Sequence, residues 1–461
     1  MKNAITRIVL TSALLATCVL PGRAYAEEAK DIATCTRLNE ASAYGDKEDD
    51  MYMIPGKGNW IFRSGTDFRS EFVMPAEIRA LLKNFKDVLS KNGTDLVIAF
   101  TPTRGMISDG LIAEDQPHAK EYNAAKARAA YKDYIASLQK DGIHMVGTPD
   151  IKAGPAYFYK SDHHWSAAGA KEMAEAVAQE IKKLPSYKNI EKIKYKTAPG
   201  KTVDFDGTFN ATLEKICGYR LAKETDQTDL TTEDADNTSE SALFSDSKAP
   251  DIVLVGTSNS KRKVFDSNFD GYLKQFLSAD VYNAAIPAAG ITDPFIAYLN
   301  SESYKEHKPK VIVWEIPGYY RATGEVMETA LRQLLPTAAG ECKKPLAARE
   351  SIKIDGETSI LMSDLADKKI DAAQTYLSLD FDKPVKKSFQ VTFKNVKNER
   401  EKFKLKRSKR YPYDGQFYIA PEGKSRAPLA EISLTAPAEM KGLTAKITLC
   451  PLPVKTRTPA E

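Results

Sequence analysis

The chain of 461 residues has few of the side chains that mark metal-binding and membrane proteins. It contains only five cysteines, and because none forms a Cys-x-x-Cys pair, their spacing argues against a structural zinc site. Lysine and arginine exceed aspartate and glutamate by only four, 66 against 62, so any binding of a polyanion must come from local patches. Beyond the N-terminal segment, no apolar run approaches the roughly 20 residues of a membrane-spanning helix. We therefore expect no metal, no cofactor and no integral membrane segment in the mature protein.

The first 26 residues have the layout of a secretory signal peptide. Lys2 and Arg7 precede the apolar run IVLTSALLATCVL, and the small-residue motif AYA ends at Ala26. We predict that residues 1–26 are cleaved and that the mature chain, beginning near Glu27, lies in the periplasm. Cleavage removes three basic residues and no acids, which lowers the formal charge from +4 to +1. An exported protein with so small a charge is not expected to bind nucleic acid.

Four cysteines remain after cleavage: Cys35, Cys217, Cys342 and Cys450. An even number of cysteines in an oxidising compartment favours disulfides over free thiols. Four cysteines allow three pairings, and their number alone does not choose among them.

The pattern of apolar residues predicts two domains, 27–343 and 344–461, since about 435 mature residues exceed one hydrophobic core. The first alternates apolar runs with amphipathic stretches, which predicts an α/β domain with a mostly parallel sheet. Its predicted strands are 95–100, 142–147, 251–256 and 310–316, and its predicted helices are 77–92, 119–142 and 167–184. After residue 344, short β-like runs separated by Pro, Gly and Asp predict a β-sandwich.

One segment of the first domain departs from this alternation. Residues 223–248 hold eight acids against two lysines and few large apolar side chains. We interpret the segment as a solvated loop. An alternative is that these acidic side chains repel an anionic polymer and so keep it in the correct register.

The stretch YFYKSDHHWSAAGA, residues 157–170, holds two of the five histidines of the chain. In an extended chain, residues i and i+2 point to the same side, so Asp162 can face His164 more easily than His163. An acid beside an imidazole fixes its tautomer and stabilises the imidazolium, which is the chemistry of a general base. Ser166 is placed to cap the next helix. The alternative is a turn held by ordinary hydrogen bonds.

The matching nucleophile is expected at the end of a buried strand, where backbone N–H groups can stabilise an oxyanion. The stretch DIVLVGTSNS supplies Ser258, with Ser260 as a second candidate. The backbone N–H groups of Ser258 and Gly290 are the candidate oxyanion donors, although a glycine at 290 can equally serve only a turn.

Three further residues follow predicted strands and are candidates for substrate binding. Tyr319 and Tyr320 come after the strand at 310–316, and either ring could form the base of a sugar-binding site. Arg104 follows the strand at 95–100 and could contact an anionic group. Buried packing or a surface ion pair would explain each of them equally well.

YKSDHHWS, followed about a hundred residues later by VLVGTSNS, resembles the SGNH-like acetyltransferases of bacterial exopolysaccharide systems. The order of acid and histidine before serine is similar to the circularly permuted SGNH-hydrolase-like arrangement of that family. The signal peptide, NWIFRSGTDF at 59–68, the four mature cysteines and a C-terminal β domain also match, so the resemblance spans nearly the whole chain.

The resemblance implies a role for each candidate. Ser258 would be the nucleophile, His164 the base and Asp162 its orienting partner. Cys35 would pair with Cys217, and Cys342 with Cys450. The implied activity is O-acetylation of an acidic polysaccharide, a polyuronate such as alginate, within a periplasmic export complex whose other proteins deliver the acetyl donor. A secreted carbohydrate acetylesterase and a non-catalytic polysaccharide-binding scaffold are the alternatives.

The resemblance also implies that the C-terminal β-sandwich is a carbohydrate-binding module. Residues 383–410 hold twelve Lys or Arg and only two acids, a stripe able to hold repeated carboxylates through many weak contacts. The candidate ligands in this stripe are Lys386, Lys387, Lys394 and Arg407. This domain contains no tryptophan, so stacking on sugars would fall to Tyr411, Tyr413 or Tyr418. A solvated face with ordinary lysines is the alternative.

Overall fold

The computed structural model describes residues 31–45, 52–148, 150, 152–234, 249–262, 266–320, 324–412 and 414–454. The predicted signal peptide, 1–26, lies outside the described residues. Within these ranges, no helix combines the length and the apolar character needed to cross a bilayer.

The first domain alternates strands and helices along the chain. Its strands are β1 (Met53–Pro55), β2 (Ile61–Arg63), β3 (Asp95–Phe100), β4 (His144–Val146), β5 (Tyr195–Phe205), β6 (Glu224–Glu233), β7 (Ile252–Val255), β8 (Val281–Asn283) and β9 (Val311–Ile316). Its helices are α1 (Ser64–Asp67), α2 (Ala76–Lys91), α3 (Arg104–Ile107), α4 (Ala124–Lys140), α5 (Ala167–Lys183), α6 (Asn210–Cys217), α7 (Phe269–Leu277), α8 (Asp293–Asn300), α9 (Glu302–Glu306) and α10 (Glu325–Ala339).

Five strands form a parallel sheet in the order β4-β3-β9-β7-β8. Every residue of β7 and β9 is buried, and because successive side chains point to opposite faces, both faces of the sheet are covered there. The predicted α/β class and parallel sheet are therefore confirmed. The carboxyl ends of β7 and β9 lie side by side, so the residues that follow these strands share one edge of the sheet.

The acidic segment contains a strand rather than a loop over Glu224–Glu233. This strand, β6, pairs antiparallel with β5 from Tyr195 opposite Glu233 to Phe205 opposite Glu224. The prediction of a loop was wrong here because a strand of Thr and acidic side chains can be stabilised by contacts with the strand beside it. One such cross-strand contact joins the Oγ1 atoms of Thr197 and Thr231, which lie 2.6 Å apart. Residues 235–248, the remainder of the segment, lie outside the described residues.

The C-terminal domain consists of two antiparallel four-stranded sheets, in the orders β10-β17-β12-β15 and β11-β16-β13-β14. The strands are β10 (Ala347–Lys353), β11 (Thr358–Met362), β12 (Thr375–Phe381), β13 (Phe389–Asn395), β14 (Arg400–Leu405), β15 (Gln416–Ile419), β16 (Leu429–Thr435) and β17 (Thr444–Pro451). Side chains from both sheets share a hydrophobic core separate from that of the first domain. The predicted β-sandwich is confirmed.

Two disulfides join distant parts of the chain. Cys35 pairs with Cys217 and Cys342 with Cys450, as the resemblance implied. The second disulfide ties the segment between α10 and β10 to the end of β17. The boundary between residues 343 and 344 stays a prediction, and it falls between the end of α10 at Ala339 and the start of β10 at Ala347.

Arg407 lies between the two domains. Its side chain is 1% exposed, its Nη1 donates to Gln333 Oε1 at 2.7 Å, and Asp293 is 3.8 Å away. The next residue, Ser408, donates its backbone N–H to the same aspartate. The prediction that Arg407 binds polymer is therefore wrong, because a buried guanidinium that joins α8 and α10 to the β-sandwich has no open face.

Candidate active site

Of the four residues 257–260 that follow Gly256 after β7, Ser258 is the one whose side chain is not buried. Ser258 is half-buried, whereas its neighbours Thr257, Asn259 and Ser260 are 0–2% exposed. Of the two serines that the sequence proposed as nucleophile, only Ser258 can therefore meet a substrate. Gly256 is required at the start of the loop, because a Cβ there would lie 2.7 Å from both Glu315 Oε2 and Ser260 Oγ.

A fully buried carboxylate holds this loop in place. Glu315, the fifth residue of β9, accepts the Thr257 backbone N–H at 2.7 Å and the Asn259 side-chain amide at 3.1 Å. The hydroxyls of Thr257 and Ser260 also reach its Oε2, at 2.9 and 3.2 Å. Burial raises the pKa of Glu315. The residues on both sides of Ser258 are thus tied to the neighbouring strand.

The acid and the base stand on a short extended segment before α5. Phe158 and Trp165 form an isolated antiparallel bridge, and Ser166 caps α5 by accepting the Gly169 N–H at 3.3 Å. Between them, Asp162 and His164 face the same side, as the i, i+2 spacing predicts.

The three side chains form a continuous hydrogen-bonded chain. His164 Nδ1 lies 2.5 Å from Asp162 Oδ1, and His164 Nε2 lies 2.7 Å from Ser258 Oγ. A carboxylate can only accept, so Nδ1 carries the proton and Nε2 of the neutral ring accepts the serine hydroxyl. The order serine, imidazole, carboxylate is the arrangement that activates a hydroxyl as a nucleophile.

The electrostatics of the site favour a neutral imidazole beside an ionised acid. Burial lowers the pKa of His164, and the hydrogen bond and charge of Asp162 offset this only in part. Burial disfavours ionisation of Asp162 as well, but the hydrogen bond from His164 and the nearby cations hold the pKa of the acid well below its ordinary value. A neutral ring with a free lone pair is the form that can accept a proton.

His163 takes no part in this chain of hydrogen bonds. Its Nδ1 lies 2.8 Å from Thr208 Oγ1, and its ring packs edge-on against Tyr319 with centroids 5.4 Å apart. Burial lowers its pKa well below the ordinary value. Its ring also lies against that of His164, at 3.9 Å, so it forms one wall of the site.

Asp162, His163 and His164 form the one group of three possible metal ligands within reach of one another among the described residues. However, the hydrogen bonds to His164 and Ser258 already use Asp162 Oδ1 and both nitrogens of His164. A metal ion would have to break the serine–imidazole–carboxylate chain, so the donor set fits that chain better than an ion.

Arg104 supports this segment from beneath and is 1% exposed. Its two terminal nitrogens donate, at 2.5–3.0 Å, to four backbone carbonyl oxygens, those of Ile61, Tyr159, Lys160 and Asp162. The prediction that Arg104 binds an anionic substrate is wrong, because its donors are used inside the protein.

The acidic strand β6 supports the same segment from the other side. Glu224 accepts the backbone N–H groups of Lys160 and Ser161, both at 2.8 Å, and the Ser161 hydroxyl at 2.6 Å. The segment carrying Asp162 is therefore held by the buried cation of Arg104 and by the Glu224 carboxylate of β6.

The remaining candidates of the first domain lie around the same edge of the sheet. Tyr319 and Tyr320 are half-buried, with ring centroids 5.0 Å apart, and the guanidinium of Arg63 lies 4.8 Å from the Tyr319 ring. Gly290, with a φ of +72°, belongs to the loop after β8, and this loop bonds to the nucleophile loop where Ile286 N donates to Gly256 O. The binding role of the tyrosines and the oxyanion role of Gly290 stay predictions.

The candidate polymer ligands of the C-terminal domain differ in exposure. Lys386 and Lys387 are exposed, and Lys387 pairs with Glu439 at 2.9 Å. Lys394 is half-buried and pairs with Glu431, also at 2.9 Å. Among the tyrosines expected to stack on sugars, Tyr418 is half-buried and Tyr413 lies outside the described residues. Tyr411 is only 3% exposed, so the prediction that its ring stacks on a sugar is wrong.

Residues 53–318 match the protein family described as "SGNH hydrolase-like domain, acetyltransferase AlgX". The chain belongs to this family. It is similar to the alginate biosynthesis protein AlgX of Pseudomonas aeruginosa, with 26% identity over 474 aligned residues that cover 98% of this chain and 97% of that protein. The probable alginate O-acetylase AlgJ of Pseudomonas putida is 29% identical over 279 residues, 58% of this chain and 70% of that protein. A solved structure of P. aeruginosa AlgX has a TM-score of 0.77 at 25% identity and covers 91% of this chain and 99% of that one.

Within this SGNH-like acetyltransferase domain, the charged residues Glu315 and Arg262 are among those that contact the nucleophile loop or the acid and that sequence reasoning missed. Glu315 carried a visible signal, a lone acid in the apolar run VIVWEI. Arg262, whose Nη2 lies 3.2 Å from Asp162 Oδ2, carried none, because nothing in the local sequence says that a residue four places after Ser258 meets an acid a hundred residues earlier.

Proposed function

We propose that this protein is a periplasmic polysaccharide O-acetyltransferase that moves an acetyl group through an acetyl-Ser258 intermediate onto hydroxyls of an acidic exopolysaccharide, alginate in the simplest case. The observation that carries the proposal is the hydrogen-bonded chain Ser258–His164–Asp162, with links of 2.7 and 2.5 Å. The names of the relatives, an alginate biosynthesis protein and a probable alginate O-acetylase, supply the polymer.

In the first step, Ser258 Oγ attacks the acetyl carbonyl of a donor while His164 Nε2 takes the hydroxyl proton. Asp162 stabilises the imidazolium that forms. The tetrahedral intermediate collapses by breaking the bond to the donor's leaving group, which takes the proton from His164. The product of this step is acetyl-Ser258 with a neutral imidazole.

In the second step, a sugar hydroxyl gives its proton to His164 and attacks the acetyl-serine. The ester bond to Ser258 breaks, the serine oxygen recovers a proton from the imidazolium, and the acetylated sugar leaves. In both steps, the backbone N–H groups of Ser258 and Gly290 are the proposed donors to the oxyanion. Water can replace the sugar hydroxyl, and the same residues then act as an esterase.

The C-terminal β-sandwich, residues 344–461, is the proposed carbohydrate-binding module. On the edge strand β14, the alternate residues Arg400, Lys402 and Lys404 are exposed and therefore share one face. With Lys386 and Lys387 they offer repeated cations to a polymer of repeated carboxylates, with weak and salt-sensitive contacts. Export by the signal peptide, delivery of the acetyl donor by other proteins and membership of an export complex belong to the same proposal.

The test supplies an activated acetyl ester with and without oligouronates and analyses both products by mass spectrometry. Acetyl groups on the sugar support a transferase, free acetate alone indicates an acetylesterase, and neither product indicates a binding scaffold.

The nucleophile is tested with the neighbouring serine as the control. Ser258→Ala is expected to lower turnover by roughly a thousandfold or more and to leave oligouronate binding intact. Ser260→Ala, which removes a buried hydroxyl and one hydrogen bond to Glu315 from the same loop, is expected to lose far less turnover than Ser258→Ala. Turnover that survives Ser258→Ala would refute the acetyl-serine route.

The module is tested by reversing exposed charges. Lys386→Glu combined with Lys387→Glu is expected to weaken oligouronate binding at low salt, with a difference that shrinks as salt rises. Unchanged binding at low salt would remove Lys386 and Lys387 from the proposal.

A further inference from the structure

The acid of the triad meets a cation that comes from the nucleophile's own loop. Arg262 lies four residues after Ser258, and its Nη2 is 3.2 Å from Asp162 Oδ2. The carboxylate is fully buried, and the arginine side chain is 17% exposed. The contact therefore links the loop of the nucleophile directly to the loop of the acid and base.

The two oxygens of Asp162 have separate sets of donors. Oδ1 accepts His164 Nδ1 at 2.5 Å and the His164 backbone N–H at 2.9 Å. Oδ2 accepts Arg262 at 3.2 Å and the Thr208 backbone N–H at 3.3 Å. Since the histidine uses one oxygen, Arg262 and the Thr208 backbone N–H together hold the other and fix the rotation of the carboxylate, and Arg262 supplies the only charged side chain of that pair of donors.

We propose that Arg262 is a positioning residue of the acetyl transfer, which holds the Asp162 carboxylate in line with His164 and adds a positive charge next to this acid–base pair. This proposal rests on the proposed function, in which His164 is the base. Arg262 acts through Asp162 and needs no contact with the donor or the polymer.

The charges around His164 give the expected direction of a pH effect. Asp162 and His163 face the imidazole from its own segment, Arg262 from the loop after β7, and Arg63 from β2. Burial lowers the pKa of His164 most, both arginines lower it further, and Asp162 raises it. Removing Arg262 removes one of the lowering contributions, so the pKa of His164 is expected to rise, and that of Asp162 with it.

Two measurements test this on the full-length protein, with Arg262→Met, Arg262→Lys and the control Arg349→Met. Arg349 is an exposed arginine of β10 that pairs with Asp364, far along the chain in the β-sandwich. The first measurement follows the ring protons of the five histidines by NMR as the pH is changed, with His164→Gln to assign the resonance. The second follows kcat/KM for an activated acetyl ester from about pH 5 to about pH 9.

In Arg262→Met, the His164 titration is expected to move to higher pH, the acidic limb of kcat/KM to move with it, and kcat on the plateau to fall by roughly tenfold to a hundredfold. In Arg262→Lys, which keeps a cation, the His164 titration should lie closer to that of the wild type. In Arg349→Met, the His164 titration should be the same as in the wild type. A titration that does not move overturns the proposal, as does an equal loss of rate at every pH with an unmoved limb. A move to lower pH, which loss of the raising contact with Asp162 would cause, supports the positioning role without the charge effect. Because the NMR titration needs no turnover, it judges Arg262 even if Ser258→Ala shows that the proposed function is wrong.

Discussion

The role of Arg104 is the sharpest point at which structure and sequence disagree, and one substitution decides between them. Arg104→Met keeps the length of the side chain and removes the donors to four carbonyl oxygens, one of them that of Asp162 itself. Each hydrogen bond from a charged donor contributes about 1.5–3 kcal/mol, but four bonds from one group are not additive. Disrupting a buried ionic group by removing one partner costs about 3–5 kcal/mol, and this is the expected loss in the free energy of unfolding.

The same substitution has an expected kinetic signature. Once the segment carrying Asp162 loses its support, kcat should fall, while KM for oligouronate should stay at the wild-type value because Arg104 does not reach the surface. Chemical unfolding and steady-state kinetics at a temperature where the variant is folded measure the two effects. Arg104→Lys retains the charge but not the planar fork, so its losses should be smaller.

Arg349→Met is the matched control, since it removes an exposed guanidinium that is 43% accessible and paired with Asp364. Its effect on the free energy of unfolding should be within about 1 kcal/mol. The reasoning is refuted if Arg104→Met is as stable as this control and raises KM with kcat unchanged. That result would support the original prediction that Arg104 is exposed and contacts the substrate.

Two further substitutions test other parts of the structure. Burial raises the pKa of Glu315, so the unfolded chain gives up this proton at lower pH than the folded one. The free energy of unfolding of the wild type should therefore fall relative to Glu315→Gln as pH rises from the ordinary carboxyl range through the raised pKa; parallel curves in chemical unfolding would contradict this. Replacing Cys342 and Cys450 together by serine opens a link that spans 108 residues. Chain entropy then predicts a loss of about 4–5 kcal/mol, and denaturant unfolding of the β-sandwich with no such loss would show that the bond constrains little.

The parallel sheet could be predicted from sequence because its central strands are buried on both faces. A continuous apolar run such as DLVIAF needs no knowledge of its neighbours, and the predicted strand 95–100 has the bounds of β3. The predicted helix at 167–184 is α5 with one residue fewer, because a serine cap and a regular apolar spacing are local signals.

The triad could be predicted because its pieces also obey local rules. The i, i+2 spacing brings Asp162 and His164 to one side, and the end of an apolar strand places Ser258 at the sheet edge. The two pieces meet at 2.7 Å across 94 residues of chain because the segment between β4 and α5 reaches the end of β7, although β3 and β9 lie between β4 and β7 in the sheet. No local pattern specifies that order, so the resemblance to a family had to supply it.

The errors at Arg104 and Arg407 share one physical cause: the neighbouring residues in the sequence do not show whether a long cationic side chain is buried. Arg104 and Arg407 were assigned to substrate because arginine is usually exposed, yet both are 1–3% exposed and donate to groups distant in sequence. The acidic run Glu224–Glu233 was interpreted as a loop because its composition is polar, although it pairs as a strand with β5, which lies outside the run. Residues whose role is to join distant segments are the ones that local reasoning misses.

The burial of the triad also bears on the choice between transfer and hydrolysis. Asp162 and His164 are 0% and 4% exposed, so the protein seals the acid and the base, and Ser258 is the member of the chain that an acceptor can approach. A sugar hydroxyl and a water molecule must both reach the acetyl-serine from that open side. The catalytic base does not distinguish the sugar hydroxyl from water, since both give their proton to the His164 imidazole. The ratio of transfer to hydrolysis should therefore rise with oligouronate concentration, because polymer occupies the open side in place of water. The total turnover of acetyl-serine should stay constant where formation of the acyl-enzyme limits the rate.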